Sequence, residues 1–483
     1  MINCFIPFLS LPQARQTVRA LGLCDRIKNI YLLATEKIPD EVEGCEMLMI
    51  DSPASTVTFR TIALHADTAY TLLYTKYTAF EPGQFAFERL LAIAGDTNAG
   101  MLYADRYLLK NGNSQQAPVI DYQKGSLRDD FDFGSLLFFR SSVLKQAVRA
   151  MDADYRFAGL YDLRLRVSEL AELVHVNEYL YSEVETDIRK SGEKLFDYVD
   201  PKNRAVQIEM EAVCTAYLKR VGGYLAPDFE PVTFDVGGFE QEASVIIPVR
   251  NRIRTIEDAI RSVLAQKTTF RFNLIIVDNH STDGTSEAIG KYTADGRVVH
   301  LVPERSDLGI GGCWNVGVHH PACGKFAVQL DSDDVYSGPD TLQKIVDAFY
   351  EQNCAMVVGT YRMTDFKMNE IPPGIIDHRE WTLENGRNNA LRINGLGAPR
   401  AFYTPILREI KAPNTSYGED YALGLKISHD YQIGRIYDVI YLCRRWEDNS
   451  DASLDVVKMN NHNIYKDKIR TWELEARLNM ERQ

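Results

Sequence analysis

Ser244-Val245-Ile246-Ile247-Pro248-Val249 is a short apolar run, and Ile256, Ala259, Ile260, Val263 and Leu264 follow it at helical spacing. The run has the length and β-branched content of a buried strand. The spaced set lies on one face of a helix, with Thr255 and Asp258 placed to cap it. The rhythm then repeats. Asn273-Leu274-Ile275-Ile276-Val277 predicts a second strand, ending in the turn-forming Asp278-Asn279-His280-Ser281-Thr282-Asp283-Gly284-Thr285. Val298 to Val302 predicts a third strand, and Phe326-Ala327-Val328-Gln329-Leu330 a fourth that runs into Asp331-Ser332-Asp333-Asp334. Pro339 opens a helix with a stripe of Leu342, Ile345, Val346 and Phe349, and Ala355 to Val358 makes the next strand. Strands separated by helices of this length predict an α/β fold, a mostly parallel sheet with helices on both faces.

The rest of the chain bounds what such a domain serves. Its 483 residues suffice for two or three domains. Lys+Arg 54 against Asp+Glu 67 leaves a formal charge of −13, which argues against a general binder of nucleic-acid phosphates. Met1-Ile2-Asn3-Cys4-Phe5-Ile6-Pro7 lacks the basic start and apolar run of a signal peptide. No stretch approaches the roughly 18 apolar residues of a membrane span. The 8 cysteines form no CxxC and no Cys/His ladder, so neither a disulfide framework nor a structural zinc is expected. The expectation is a cytoplasmic protein without a transmembrane segment. Residues 186–240 read as a connector with one docking helix near Ala205 to Arg220. Residues 241–450 read as the α/β domain, and 451–483 as a C-terminal helix closing over it.

In an open parallel sheet, ligands bind beyond the carboxyl ends of the strands. Asp278, Asp331 and Asp333 fall there. Alternating carboxylates on a strand-end turn suit a hard divalent cation, which in turn holds diphosphate oxygens. The same turn also reads as a chain reversal that caps the next helix. Tyr417-Gly418-Glu419-Asp420 leads an apolar-periodic helix from Tyr421 to Ile427. Its acids serve either as caps at the positive end of the helix dipole or as a general base held near a substrate hydroxyl.

Order and spacing join these signals. Pro248-Val249-Arg250-Asn251, the Asp278 turn, Asp331-Ser332-Asp333-Asp334 and Gly418-Glu419-Asp420 occur in one sequence order. From about 243 to 450 the chain resembles the inverting family 2 glycosyltransferases of GT-A fold. The resemblance implies that Asp278 binds the base of a sugar nucleotide, with Pro248, Arg250 and Asn251 beside it. Asp331 and Asp333 would hold the donor diphosphate through Mn²⁺ or Mg²⁺. Asp420 would be the catalytic base, with Glu419 its neighbour. The implied partners are a UDP- or GDP-type sugar donor and a carbohydrate or glycoconjugate acceptor. A bound dication offsets the charge that builds on the leaving diphosphate, and a carboxylate takes the acceptor's proton, so no covalent nucleophile is required.

The chain departs from the family at two places. Trp314-Asn315 stands where an Arg-Asn pair is frequent. Arg444-Arg445-Trp446-Glu447-Asp448-Asn449-Ser450 has no histidine where many members carry one. Either Asp448 or Glu447 replaces that metal ligand, or Arg444 and Arg445 hold the diphosphate directly with their forks. Surface pairing of the arginines and packing of Trp446 is the other reading. On the acceptor side, Trp381 is a candidate for stacking on a sugar ring, and His378 and Arg379 for contacting its hydroxyls. A structural role stays open for each.

The first 185 residues carry a fainter copy of the same plan. Phe131 to Leu144 aligns without gaps on Asn394 to Leu407, and Tyr161 to Ser168 on Tyr421 to Ser428. Phe5 to Phe8 matches Ile246 to Val249, and Leu72 to Tyr77 matches Gln329 to Asp334. This predicts a degenerate GT-A-like domain at 1–185, with Tyr74 and Lys76 at the places of Asp331 and Asp333. Gly159 and Leu160 stand for Glu419 and Asp420, and Ala34 for Asp278. The rival functions are a catalytically inactive sugar- or nucleotide-binding scaffold and a nucleotidyltransferase. The second leaves Gly418-Glu419-Asp420 without a role.

Overall fold

A computed structural model describes residues 1–37, 40–110, 112–184, 203–235, 237–446 and 455–480. The first sheet is built from β1 (Ile2–Pro7), β2 (Ile27–Ala34), β3 (Glu46–Met49), β4 (Tyr70–Tyr74), β5 (Phe80–Pro82), β6 (Met101–Lys110), β7 (Asn113–Ala117), β8 (Leu136–Arg140) and β9 (Leu173–Val184). Its order is β3-β2-β1-β4-β8-β6-β9-β5, with β7 on β6. Along β1, Ile2, Cys4 and Ile6 enter one apolar cluster and Phe5 the other, so both faces of the sheet are covered.

The second sheet contains β10 (Ala243–Val249), β11 (Phe272–Asp278), β12 (Val298–Leu301), β13 (Phe326–Gln329), β14 (Val335–Tyr336), β15 (Met356–Thr364), β16 (Glu370–Ile376), β17 (Arg400–Tyr403) and β18 (Ile433–Arg444). Its order is β12-β11-β10-β13-β17-β15-β18-β14, with β16 on β15. Strand for strand this repeats the first sheet. The chain divides into two units: Met1–Arg189 with Ala205–Gly223 and Asp455–Thr471, and Lys190–Arg204 with Tyr224–Leu454 and Trp472–Gln483.

The strands expected at 244, 273, 298 and 326 form, and the α/β class with two sheets of one order holds. The pairing is mixed, however. β12, β11, β10 and β13 run parallel, and β17 then enters antiparallel between β13 and β15. The strand order reverses at β10, whose two neighbours are β11 and β13. In open α/β sheets such a reversal is the point beyond whose strand ends ligands bind. The helix Ile256–Leu264 forms without a side-chain cap. Thr255 donates to the Arg252 carbonyl instead, and Asp258 pairs with Arg261 and Arg444.

Register corrects one expected correspondence. Leu72 pairs with Cys4 and Phe138, and Val328 pairs with Val245 and Ala401. Phe138 and Ala401 are matched in the ungapped alignment, so Leu72 corresponds to Val328 rather than Gln329. Thr75 and Tyr77, not Tyr74 and Lys76, therefore stand where the second unit has Asp331 and Asp333. A strand buried on both faces has no polar alternation to fix its register by sequence.

The expected connector helix is Arg204–Val221, and its residues from Ala205 belong to the first unit. The C-terminal helix, Val456–Met480, was expected to close over the second domain; residues up to Thr471 belong instead to the first unit. Among the described residues no helix is long and apolar enough to cross a membrane.

Candidate active site

Asp278 ends β11 fully buried. Its carboxylate accepts from the Ser281 backbone N–H at 3.0 Å, from the Ser286 hydroxyl and from His300 Nε2 at 3.4 Å. Burial pushes this carboxyl up, but the hydrogen bonds from Ser281 and Ser286 hold it below the usual range. Asn251, in a left-handed conformation (φ 53°), ties the turn after β10 to this loop. Its N–H donates to Ser281 Oγ at 2.9 Å, and its side-chain oxygen accepts from Thr282 N–H at 2.8 Å. Pro248 lies in β10 opposite Val277, and Arg250 is exposed at the strand's end.

The turn after β13 brings three carboxyls together. Asp331 and Asp333 are half-buried and Asp334 is buried. Gln329 Nε2 donates to Asp331 Oδ1 at 2.9 Å, and the Asp331 N–H donates to the Tyr441 hydroxyl at 3.2 Å. Trp446 Nε1 donates to Asp333 Oδ2 at 3.2 Å, and Arg252 Nε stands 4.0 Å from the same oxygen. Burial pushes the Asp331 carboxyl up, Asp333 adds to it, and Arg400 opposes it. Burial and the charges of Asp333 and Asp331 push Asp334 well above the carboxylate range.

Arg444, expected to grip a diphosphate, is only 1% exposed. Its Nη1 pairs with Asp258 at 2.8 Å, its Nε donates to the Asp333 carbonyl at 2.5 Å, and its N–H donates to Asp334 Oδ1 at 2.7 Å. It braces the acidic turn from behind and cannot reach a ligand without leaving that position. Arg445 is half-buried, with its N–H on the Thr364 carbonyl at 2.8 Å. Asp448, with Glu447, lies outside the described residues.

Glu419 and Asp420 begin the helix Glu419–Asp430, behind Gly418 at φ 81°. The preceding segment is fixed by the helix Ile310–His319. Asn315 exchanges two hydrogen bonds with Ala412, of 2.8 and 2.9 Å, and the Gly311 N–H donates to the Thr415 carbonyl. A Cβ on Gly311 would lie 1.9 Å from the Pro413 carbonyl oxygen, so only glycine admits this approach. Burial and the neighbouring Asp420 push Glu419 up to about 8. Its Oε2 is buried with no hydrogen-bond partner among the described residues. Asp420 Oδ2 is met by Arg400 Nη1 at 2.7 Å.

Arg400 is the residue that sequence reasoning missed. It opens β17, and its N–H donates to Gln329 Oε1 at 3.1 Å. A signal existed: the ungapped alignment sets Leu137 against it, a charge in one copy where the other has an apolar residue.

Two of the acceptor candidates are packed inside. Trp381 is 6% exposed, lies under the Arg435 guanidinium at 4.6 Å, and leaves no room for a Cβ on Gly386. It cannot stack on a sugar. His378 is 1% exposed, with Nδ1 2.8 Å from Glu380 Oε1 and its ring against Gly397. Arg379 alone of the three is exposed, paired with Asp377 at 2.8 Å and set over Tyr437.

Residues 244–410 match the family model "Glycosyl transferase family 2". The chain carries a family 2 glycosyltransferase domain. The matched stretch holds Asp278, Asp331 and Asp333; Glu419 and Asp420 follow it. Among similar curated proteins, TuaG of Bacillus subtilis (strain 168), named provisionally as a teichuronic acid biosynthesis glycosyltransferase, is 33% identical over 120 residues, 25% of this chain and 46% of that protein. An uncharacterized glycosyltransferase of Rickettsia conorii is 38% identical over 97 residues, 20% of this chain and 15% of its own. The chain thus spans less than half the length of either relative. Among solved structures, residues 1–349 of S. aureus TarS with UDP-GlcNAc share 23% identity at a TM-score of 0.38, covering 48% of this chain and 71% of that one. A Pyrobaculum calidifontis mannosyltransferase, PcManGT, solved with GDP-Man and Mn²⁺, shares 17% identity at a TM-score of 0.35, covering 59% of this chain and 86% of that one.

Proposed function

We propose that the second unit transfers a sugar, with inversion, from a UDP- or GDP-type donor to a hydroxyl of a carbohydrate or glycoconjugate. The observation that carries this is the chain of contacts Asp420–Arg400–Gln329–Asp331, which links the candidate base to the candidate cation ligand where β13 ends and β17 begins. The family 2 domain match supports the same reading.

The acidic turn fits a hard dication. Asp331 and Asp333 offer oxygens on alternate residues, and burial first, with the charge of Asp333 added, raises Asp331, a cost that Mn²⁺ or Mg²⁺ would relieve. Such an ion would stabilise charge on the departing diphosphate. The protein's own part is to place groups. Asp278, fully buried, holds the loop of Asn251 and Ser281 through its carboxylate, and that loop is assigned to the nucleotide base, with Arg250 beside it. Asp420 takes the proton from the acceptor hydroxyl as that oxygen bonds to the anomeric carbon and the bond to the diphosphate breaks. We assign catalysis to 241–450 and a non-catalytic copy to 1–185, joined by 186–240 and followed by the helix in 451–483. Eight free cysteines support a reducing, cytoplasmic setting.

The test is Asp420→Asn, which keeps the shape but not the proton acceptor. Release of nucleoside diphosphate from a panel of UDP- and GDP-sugars with Mn²⁺ and acceptor should fall by roughly 10²–10⁴. Nucleotide affinity in calorimetry should stay within about twofold. Near-normal transfer by the variant would move the base elsewhere, Glu419 first. Nucleotide binding by the wild type without any transfer would favour a scaffold.

A further inference from the structure

We infer that, given the transferase reading above, Arg400 is a positioning residue: it fixes the Asp420 carboxylate and ties it to the acidic turn. The guanidinium is anchored twice through Nη1, to Asp420 Oδ2 at 2.7 Å and to the Gly397 carbonyl at 2.8 Å. The backbone of the same residue reaches Gln329 at 3.1 Å, and Gln329 reaches Asp331 at 2.9 Å. A displacement of the acidic turn is thereby transmitted to the base through two residues.

The anchor itself is rigid. Gly397 adopts φ +103°, and a Cβ there would lie 2.6 Å from the His378 ring. His378 is in turn held by Glu380 at 2.8 Å inside the core. The buried His378 and Glu380 thus set the carbonyl that aims Arg400.

The first unit supplies an internal control. It keeps the turn: Gly134, the counterpart of Gly397, also has a left-handed φ of +72°. It keeps β8 and the helix Gly159–Leu170 in matching places. It has Leu137 at the position of Arg400 and Leu160 at that of Asp420. Both halves of the ion pair are missing together while the corner still forms. The pair is therefore not what folds this corner, and its retention in the second unit is assigned to the chemistry.

The planar guanidinium fixes the directions of the two Nη1 hydrogens that meet the carbonyl and the carboxylate, whereas the lysine ammonium is a donor on a shorter, freely rotating stem. A misplacement near 1 Å can cost about 10²-fold in rate. Full-length Arg400→Gln should lose about 10²-fold in kcat, with donor KM and the affinity for UDP or GDP with Mn²⁺ within about twofold. Arg400→Lys should recover about a tenth of the wild-type rate, since charge and donor are restored without the fixed reach of the guanidinium. In an Asp420→Asn background, Arg400→Gln should cost less than about threefold, because the group it positions no longer takes a proton. Crystal structures add a readout that needs no turnover: the Asp420 carboxylate should move by about 1 Å in Arg400→Gln while the 331–334 turn stays. A full Arg400→Gln loss on top of Asp420→Asn, a change confined to KM, or an unmoved Asp420 overturns the inference. Near-normal transfer by Asp420→Asn alone overturns the transferase assignment of the base, and the carboxylate displacement still decides whether Arg400 positions it.

Discussion

A carboxyl that titrates near 8 is neutral through most of the physiological range, and Glu419 is held there by burial first and by the adjacent Asp420 second. The consequence for stability has a definite sign. The unfolded group gives up its proton near 4.5 and the folded one near 8, so the native state binds more protons between these values. Stability falls as pH rises through that window, because the unfolded state is the one that ionises freely. Glutamine mimics the neutral acid and carries no such penalty. Without added cation, Glu419→Gln should match the wild type in Tm near pH 5 and exceed it by a few degrees near pH 9. A constant difference across that range would show that Glu419 is ionised in the folded state. At this scale the acids were legible in sequence, since strand ends and helix starts are where such groups gather. Arg400 left only its contrast with Leu137 in the first copy, because its partners Asp420 and Gln329 lie far from it along the chain. His378 and Trp381 misled for the converse reason: residue type suggests a ligand contact, but only packing decides whether the side chain reaches solvent.

Strands carry a different kind of information. The apolar runs of β10, β11 and β13 located them, but being buried on both faces they concealed register, and the Leu72 match came out one residue off. The antiparallel entry of β17 was equally hidden, since four residues with no periodic signature do not declare a direction. A contact between elements of the first unit does yield a test. His175 on β9 stands between Asp105 on β6, at 2.9 Å, and Asp121 after β7, at 2.8 Å, with its ring stacked on Tyr103. Burial works to lower this imidazole, but the two carboxylates outweigh it and raise it above its ordinary 6.5. A histidine raised on folding stabilises fully below 6.5, and the contribution is lost as pH climbs through the higher folded value. His175→Gln should therefore lower Tm most near pH 5.5, and the gap should close toward about pH 9. An equal gap at both pH values would mean that the imidazole acts only through packing on Tyr103.

For the whole molecule, the issue is whether one unit or two can perform the transfer. The two sheets share strand order, so the first unit has the scaffold. Its ligand-facing positions differ throughout. Register sets Thr75 and Tyr77 at the places of Asp331 and Asp333, and two neutral hydroxyl groups do not replace two carboxylates as cation ligands. Ala34 pairs as Asp278 does, one step beyond the residue opposite Pro7, and offers nothing to a nucleotide base. Beyond the end of β4, Lys76 and Arg106 are paired with Glu183 at 2.6 and 2.9 Å, which fills the place with an internal ion group. The backbone N–H groups of Arg156, Phe157 and Ala158, ahead of the helix that matches Glu419–Asp430, are taken up by the Glu209 carboxylate. On the proposed reading, each change removes a separate requirement of the transfer. All donor turnover is therefore expected to come from the second unit. Full-length protein carrying Asp331→Ala and Asp333→Ala should lose at least about 10³-fold in nucleoside diphosphate release, since the proposed ion that would offset leaving-group charge loses both of its ligands on this turn. Its Tm should not fall, because two half-buried like charges have been removed from one turn. Residual donor turnover above about 0.1% of wild type in that variant, at any Mn²⁺ concentration, would overturn this assignment.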